Sequence, residues 1–278
     1  LERLLLVHNK ETFARVAAEV GLAPAETLLL TGRDDLGRLA PRAKELVFKP
    51  VWSRFAERVL VRPEAAELAT LAPSPRDPWI AQTYLPGEEV CTCGIARDGK
   101  LLLHVAYRPK HRVRLGAGIY FEPALDPGIR AAVEALAGHL RWSGQIAFDL
   151  RRDGNGAWKA IECNPRTTSG AHLARPDALA GAFEGRKDRE GLMTEARMIG
   201  LAMWFFGLPA AARTGRIGEW WHDHRRARDV VSVVGDRGPG LGQHVFLVEA
   251  AAAALRHRVS LTRAVSMDLE WNGGEAGR

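Results

Sequence analysis

Cysteine is scarce in this 278-residue chain: Cys91, Cys93 and Cys163 offer neither paired metal-ligand spacing nor a disulfide framework. That scarcity points to a reducing, cytoplasmic setting. No apolar run reaches eighteen residues, so no membrane-spanning helix and no membrane partner are expected. The opening Leu1-Glu2-Arg3-Leu4-Leu5-Leu6-Val7 is too short and wrongly charged for a signal peptide. It begins with Leu rather than Met, as a fragment or processed form would. Lysine is rare too, seven of 39 basic residues, so the formal charge of +6 is carried almost wholly by arginine. The basic residues are scattered rather than striped and no nucleic-acid-binding signature is present, so no nucleic acid partner is expected. The positive balance suits an anionic ligand. No internal repeat is visible.

What is present suffices for a sizeable core, since 46% of the residues are hydrophobic, and the length fits two lobes better than one. Asn9 reads as a helix N-cap, with Phe13, Val16, Ala17 and Val20 at helical spacing and Gly21 and Pro24 as stops. Leu46 to Pro50 and Val59 to Val61 read as strands. Thr70 to Pro78, with three prolines, reads as a connector, and Trp79 to Leu85 as a strand ending at Pro86-Gly87. Glu89 to Arg97 and Lys100 to Tyr107 form a hairpin over Asp98-Gly99. Helices are expected over 128–140, 193–206 and 241–257, with Gly235 to Gly240 as a loop and Gly238-Pro239-Gly240-Leu241-Gly242 as a turn. His222-Asp223-His224 lacks a third metal ligand and reads as surface.

The stretch from Gly144 to His172 is the most telling. Two apolar strands flank Arg151-Arg152-Asp153-Gly154-Asn155-Gly156-Ala157, which is dense in turn residues. Closure on a four-residue loop, Gly154 to Ala157, sets Asp149 directly opposite Glu162. Period-2 alternation adds Asn164 to the same face and turns Cys163 away. Carboxylates held side by side repel. Mg²⁺ relieves such repulsion while taking one or two carboxylates and completing its shell with water and phosphate. Pro165 stops the strand and Arg166 places a permanent cation beside the acids.

Asp149, then Glu162-Cys163-Asn164-Pro165-Arg166, resembles the metal-binding hairpin of the ATP-grasp superfamily, and the likeness extends over about residues 8–175. It implies an α+β fold in which two lobes clasp a nucleotide: a small lobe over 1–85, a large lobe with the hairpin over 86–183, and a helical extension over 184–278. It implies metal ligation (Mg²⁺ or Mn²⁺) by Asp149, Glu162 and Asn164, and phosphate contacts from Lys10 at a helix start and Lys49 on a strand. Along the hinge, Gln82, Tyr84 and Leu85 would line the adenine and Glu89 the ribose. Arg112 would face the γ-phosphate and Arg166 would act in catalysis. Thr167-Thr168-Ser169-Gly170 would open a helix toward the substrate. The glycine-rich flap of relatives is replaced by Trp52-Ser53-Arg54-Phe55-Ala56-Glu57-Arg58, with Ser53 and Arg54 as substitutes for backbone contacts. Relatives also carry a preceding α/β lobe, which would lie upstream of Leu1. The implied activity is ATP-dependent joining of a small carboxylate to an amine or thiol through an acyl phosphate, in a chain that admits a homodimer. Phosphorylation of a small acid on the same site, a non-catalytic nucleotide-binding module, and last a basic nucleic-acid binder stand as alternatives.

Overall fold

The computed structural model describes residues 1–53, 58–113, 116–187, 192–232, 235–236 and 238–265. The chain opens with α1 (Glu2–His8) and α2 (Lys10–Glu19). It continues through β1 (Thr27–Leu30), α3 (Arg33–Leu39), β2 (Leu46–Pro50), β3 (Leu60–Val61), α4 (Ala65–Leu68) and β4 (Trp79–Thr83). The four strands form one antiparallel sheet in the order β1-β4-β2-β3. Then come β5 (Glu89–Arg97), β6 (Lys100–Pro109), β7 (Tyr120–Pro123), α5 (Pro127–His139), β8 (Gly144–Arg152) and β9 (Trp158–Asn164). The last third holds α6 (Pro176–Phe183), β10 (Arg197–Met198), α7 (Gly200–Ala202), α8 (Leu208–Arg213), α9 (Ile217–Arg226), β11 (Arg228–Asp229), α10 (Gly238–His257) and α11 (Leu261–Ala264). A seven-stranded sheet runs β11-β10-β7-β6-β5-β8-β9.

Local chemistry explains the elements that frame the site. The Asn9 side chain accepts hydrogen bonds from the backbone N–H groups of Glu11 (2.9 Å) and Thr12 (3.0 Å), which fixes where α2 begins. Phe13, Val16 and Ala17 are then buried on one face. That face packs on the seven-stranded sheet, against Phe148, Ala160 and Cys163, although α2 precedes the smaller sheet in the chain. Leu173, Ala174, Ala178 and Ala182 cover another side of the same sheet with Cys91, Cys93, Val105 and Tyr107. The β5–β6 hairpin turns on Asp98 and Gly99, both at positive φ (49° and 79°), as a two-residue hairpin requires. The smaller sheet has a separate core of Leu30, Leu46, Phe48, Trp79 and Ala81.

Three expectations need correction. The hairpin does not close on four residues: Arg152 pairs with Trp158, leaving Asp153 to Ala157 as the loop, which Asp153 N–H closes onto the Ala157 carbonyl at 2.9 Å. This slips the register by one from Leu150 to Arg152, and a bulge between Asp149 and Leu150 restores it, so Asp149 still faces Glu162. The helix expected over 193–206 begins at Gly200, because Arg197 and Met198 pair with Phe121 and Tyr120 as an added sheet strand. The glycine cluster from Gly238 to Gly242 is not a turn but the start of α10. Asp236 Oδ1 accepts the Gly238 N–H at 3.1 Å, and Pro239 stands where a helix needs no N–H.

Candidate active site

Glu162 ends up between two lysines because two elements approach it. Helix α2 brings Lys10 alongside β9, and β2 of the smaller sheet brings Lys49. Lys10 Nζ lies 3.7 Å and Lys49 Nζ 4.0 Å from Glu162 Oε2, and both lysines are buried. Lys10 also donates to the Ser53 carbonyl (3.0 Å) and hydroxyl (3.2 Å). Across the strand pair, Asn164 Nδ2 donates to Asp149 Oδ2 at 3.3 Å, and Arg166 Nη2 donates to Asn164 Oδ1 at 3.1 Å. Lysine, acid, amide and guanidinium therefore form one continuous polar chain.

The two carboxylates are not equivalent. Burial, then the facing charges of Glu162 and Glu89, push Asp149 up to about 7. Burial pushes Glu162 up too, but Lys10 and Lys49 outweigh it and hold Glu162 down to about 2. Burial in turn lowers Lys49 to about 8 against the pull of Glu162. Glu162 thus stays ionised near neutrality, and a proton taken up by the pair goes to Asp149 first. A cation bound between them would release it. Among the described residues no three His, Cys, Asp or Glu side chains gather as metal ligands. Two carboxylates and an amide suit Mg²⁺ or Mn²⁺, whose shell is shared with water and phosphate, better than an all-protein cage.

The eleven residues assigned to nucleotide, metal and catalysis from sequence line one cavity of about 470 Å³: Lys10, Lys49, Gln82, Tyr84, Leu85, Glu89, Arg112, Asp149, Glu162, Asn164 and Arg166. Their contacts differ from expectation in places. The Gln82 amide donates to Thr27 Oγ1 (2.9 Å) and the Ile161 carbonyl (3.3 Å), tying the two sheets together beneath the cavity. Glu89 is held by Arg112, and by Arg151 at 3.3 Å. A carboxylate has room for further donors, so Glu89 organises two cations and keeps accepting capacity. Arg112 Nη1 also donates to the Gly116 carbonyl at 2.9 Å. Thr167 to Gly170 lead into a short turn, Ser169–Leu173, and Thr168 Oγ1 donates to the Thr92 carbonyl at 3.2 Å. Only glycine fits at 170: a Cβ there would lie 2.6 Å from the Cys93 Cβ and 2.8 Å from Tyr107. Of the expected flap, residues 54–57, Arg54 included, fall outside the described residues.

Arg151 joins these residues, on the face that alternation from Asp149 gives it; it lines the cavity and donates to the Leu85 carbonyl at 3.0 Å. Asp223, expected at the surface, is not there. Asp223 is 3% exposed and accepts from Lys110 Nζ (2.8 Å) while meeting His111 Nε2 at 2.7 Å. Its spacing from Trp220 and Ala227, both buried, would have revealed the covered side of α9. Helix α9 thereby fastens the segment that presents Arg112.

No protein-family model matches the sequence, and no curated protein matches it. The likeness is to solved structures. An N5-carboxyaminoimidazole ribonucleotide synthetase in complex with ADP superposes with a TM-score of 0.55 at 16% identity, covering 75% of this chain and 60% of that one. The chain has the ATP-grasp fold. The biotin carboxylase domain of Hydrogenobacter thermophilus 2-oxoglutarate carboxylase, solved with MgADP, ADP and bicarbonate, gives 0.55 at 13% identity, covering 69% and 49%. An L-amino acid ligase from Bacillus licheniformis gives 0.50 at 17%, covering 68% and 52%. The chain therefore spans 49 to 60% of the length of these three ATP-grasp proteins. Among the described residues no helix is long and apolar enough to cross a membrane.

Proposed function

We propose that this chain carries the nucleotide site of an ATP-dependent ligase that joins a small carboxylate to an amine, or a thiol, through an acyl phosphate, in the cytoplasm. The observation that carries it is Glu162 clamped between Lys10 and Lys49 while paired with Asp149 across β8 and β9. Such a cluster matches the negative charge of a triphosphate on one side and a divalent ion on the other. In this proposal residues 1–85 supply the small lobe, with α1 and α2 leaning on the larger sheet, residues 86–183 the large lobe, and 184–278 the helical extension that contributes β10 and β11.

Asp149, Glu162 and Asn164 would hold Mg²⁺ or Mn²⁺, which neutralises charge on the phosphates when bound. Lys10 and Lys49 donate to phosphate oxygens. Arg112 faces the γ-phosphate, steadied by Glu89. Gln82, Tyr84 and Leu85 border the base, and Glu89 keeps lone pairs for the ribose. An oxygen of the substrate carboxylate attacks the γ-phosphorus and ADP leaves. The amine then adds to the acyl carbon and inorganic phosphate departs, with Arg166 beside the developing negative charge. Rate in such a site comes from positioning and fixed charge rather than from a nucleophilic side chain.

Release of ADP, followed with a panel of small carboxylates with and without amines, tests this. Sustained turnover only when an amine is present is expected. ADP release that saturates with the carboxylate alone, amine making no difference, would favour a phosphotransferase. ATP binding by calorimetry with no turnover under any acceptor would remove the enzyme assignment.

A further inference from the structure

Arg197 and Arg228 stand side by side across β10 and β11, yet only one of them has an anion. Arg228 Nε lies 2.7 Å from Glu195 Oε2. Among the described residues no carboxylate pairs with Arg197. Its Nε is buried without a hydrogen bond, and Nη2 meets only the sulfur of Met193, a weak acceptor. A permanent cation held in this way is costly until an anion joins it. His172 adds to the demand. Its ring lies over Phe121 with centroids 6.0 Å apart, and burial together with the charge of Arg197 holds its pKa below the usual histidine range.

Position ties this pair of cations to the cavity. Glu162, Asp149, Cys91 and Tyr107 are direct neighbours across β9, β8, β5 and β6. Two residues on from Tyr107, and so on the same face of the sheet, Pro109 pairs with Phe121 and Phe121 with Arg197. Tyr107, Pro109 and Ser169 line the cavity. Ser169 and His172 are three apart in the turn Ser169–Leu173, a 3₁₀ helix, in which side chains at that interval stand one above the other. A polar track therefore leads from Arg166 through Ser169 and His172 to Arg197. Four strand spacings separate β8 from β10, about 19 Å in all. The carboxylate to be phosphorylated must lie beside Asp149 and Glu162, so the anion that Arg197 lacks is a different one. The amine comes to the acyl carbon from outside the phosphate cluster, where this track begins. We infer that Arg197 and His172 form a subsite for an anionic group, a carboxylate or a phosphate, at the far end of the amine substrate. Its use by the amine rests on the ligase reading, whereas the anion site itself does not.

Two measurements with one set of probes test this: a length series of ω-amino acids, their carboxamides and the matching aminoalkyl phosphates. ADP release at a fixed carboxylate reports their use, and the ring resonance of His172, assigned through His172→Gln, reports their binding without ATP. Anionic amines should exceed carboxamides at least about tenfold in kcat/KM, and the better of the two anionic series names the group. Arg197→Gln should remove that preference through KM while leaving the carboxamides unchanged, and Arg197→Lys should keep part of it. Anionic probes should shift the His172 resonance in the wild type and not in Arg197→Gln. Turnover that uses carboxamides as well as anionic amines would overturn the inference and leave the ligase reading standing. A His172 shift confined to the wild type, with no turnover on any amine, would keep the anion site and end the ligase reading. A His172 resonance that ignores every anionic probe, or responds equally in Arg197→Gln, would overturn the subsite.

Discussion

The cavity and the last helix treat the same resources in opposite ways. Around Asp149 and Glu162, charge is drawn inward: Lys10 and Lys49 are 4% and 5% exposed, and the apolar neighbours Phe148, Leu150 and Cys163 are covered. Along α10, apolar residues are turned outward and only Ala250 is buried. Burying charge costs free energy unless it is paired, and exposing apolar surface costs contacts. A fold retains either arrangement when something else completes it. For the cavity, on the function proposed above, that completion is an anionic nucleotide with its cation.

The largest expected effect comes from breaking the charge cluster. Glu162→Gln keeps the shape of the side chain and removes its charge. Turnover should fall by at least about 100-fold, while nucleotide affinity, measured by calorimetry, should change only a fewfold. Next is pH. Asp149 is raised to about 7 by burial and by its acidic neighbours, so below that value a metal ion must displace its proton. Metal affinity should therefore tighten by up to about tenfold per unit as pH rises toward 7 and level off above it. Calorimetry in buffers of different ionisation enthalpy should register proton release at pH 6 that Asp149→Asn removes. Glu162, held near 2, contributes nothing to this slope. Asp149→Asn should abolish the slope.

Smaller effects probe the walls. Gly170→Ala pushes a methyl group into Cys93 and Tyr107, and overpacking of that kind costs about 1–3 kcal/mol, readable as a lower denaturant midpoint. Asp223→Asn leaves Lys110 and His111 with a weaker partner in α9 and should slow turnover a fewfold through the segment bearing Arg112. Its effect should shrink when Arg112 is already replaced by Gln, whereas a purely global loss of stability would persist.

Much of the cavity was legible in the sequence because its chemistry conflicts with its surroundings. Lys49 interrupts an apolar strand, Asp149 and Glu162 interrupt two more, and Asn9 marks the start of the helix that carries Lys10. Such conflicts survive errors in detail. The loop of the acidic hairpin is one residue longer than expected, and the bulge that compensates involves Ile161, which nothing in the local sequence marks. β10 was invisible for a related reason. Arg197 and Met198 have no alternation of their own, and their strand form comes from pairing with Tyr120 and Phe121 across a long separation in sequence. Asp223 was hidden because the flanking histidines suggest a surface, while the spacing of Trp220, Asp223 and Ala227 marks the buried side of the helix.

In the proposed function Asp149 and Glu162 share a divalent ion with a bound nucleotide. Titration of Mn²⁺ into the chain with ATP present, followed by electron paramagnetic resonance, tests this most directly. Ions bound in a nucleotide-dependent manner by the wild type, and lost in Asp149→Asn/Glu162→Gln, are expected. Equal binding by both proteins, or binding that ignores the nucleotide, would contradict it.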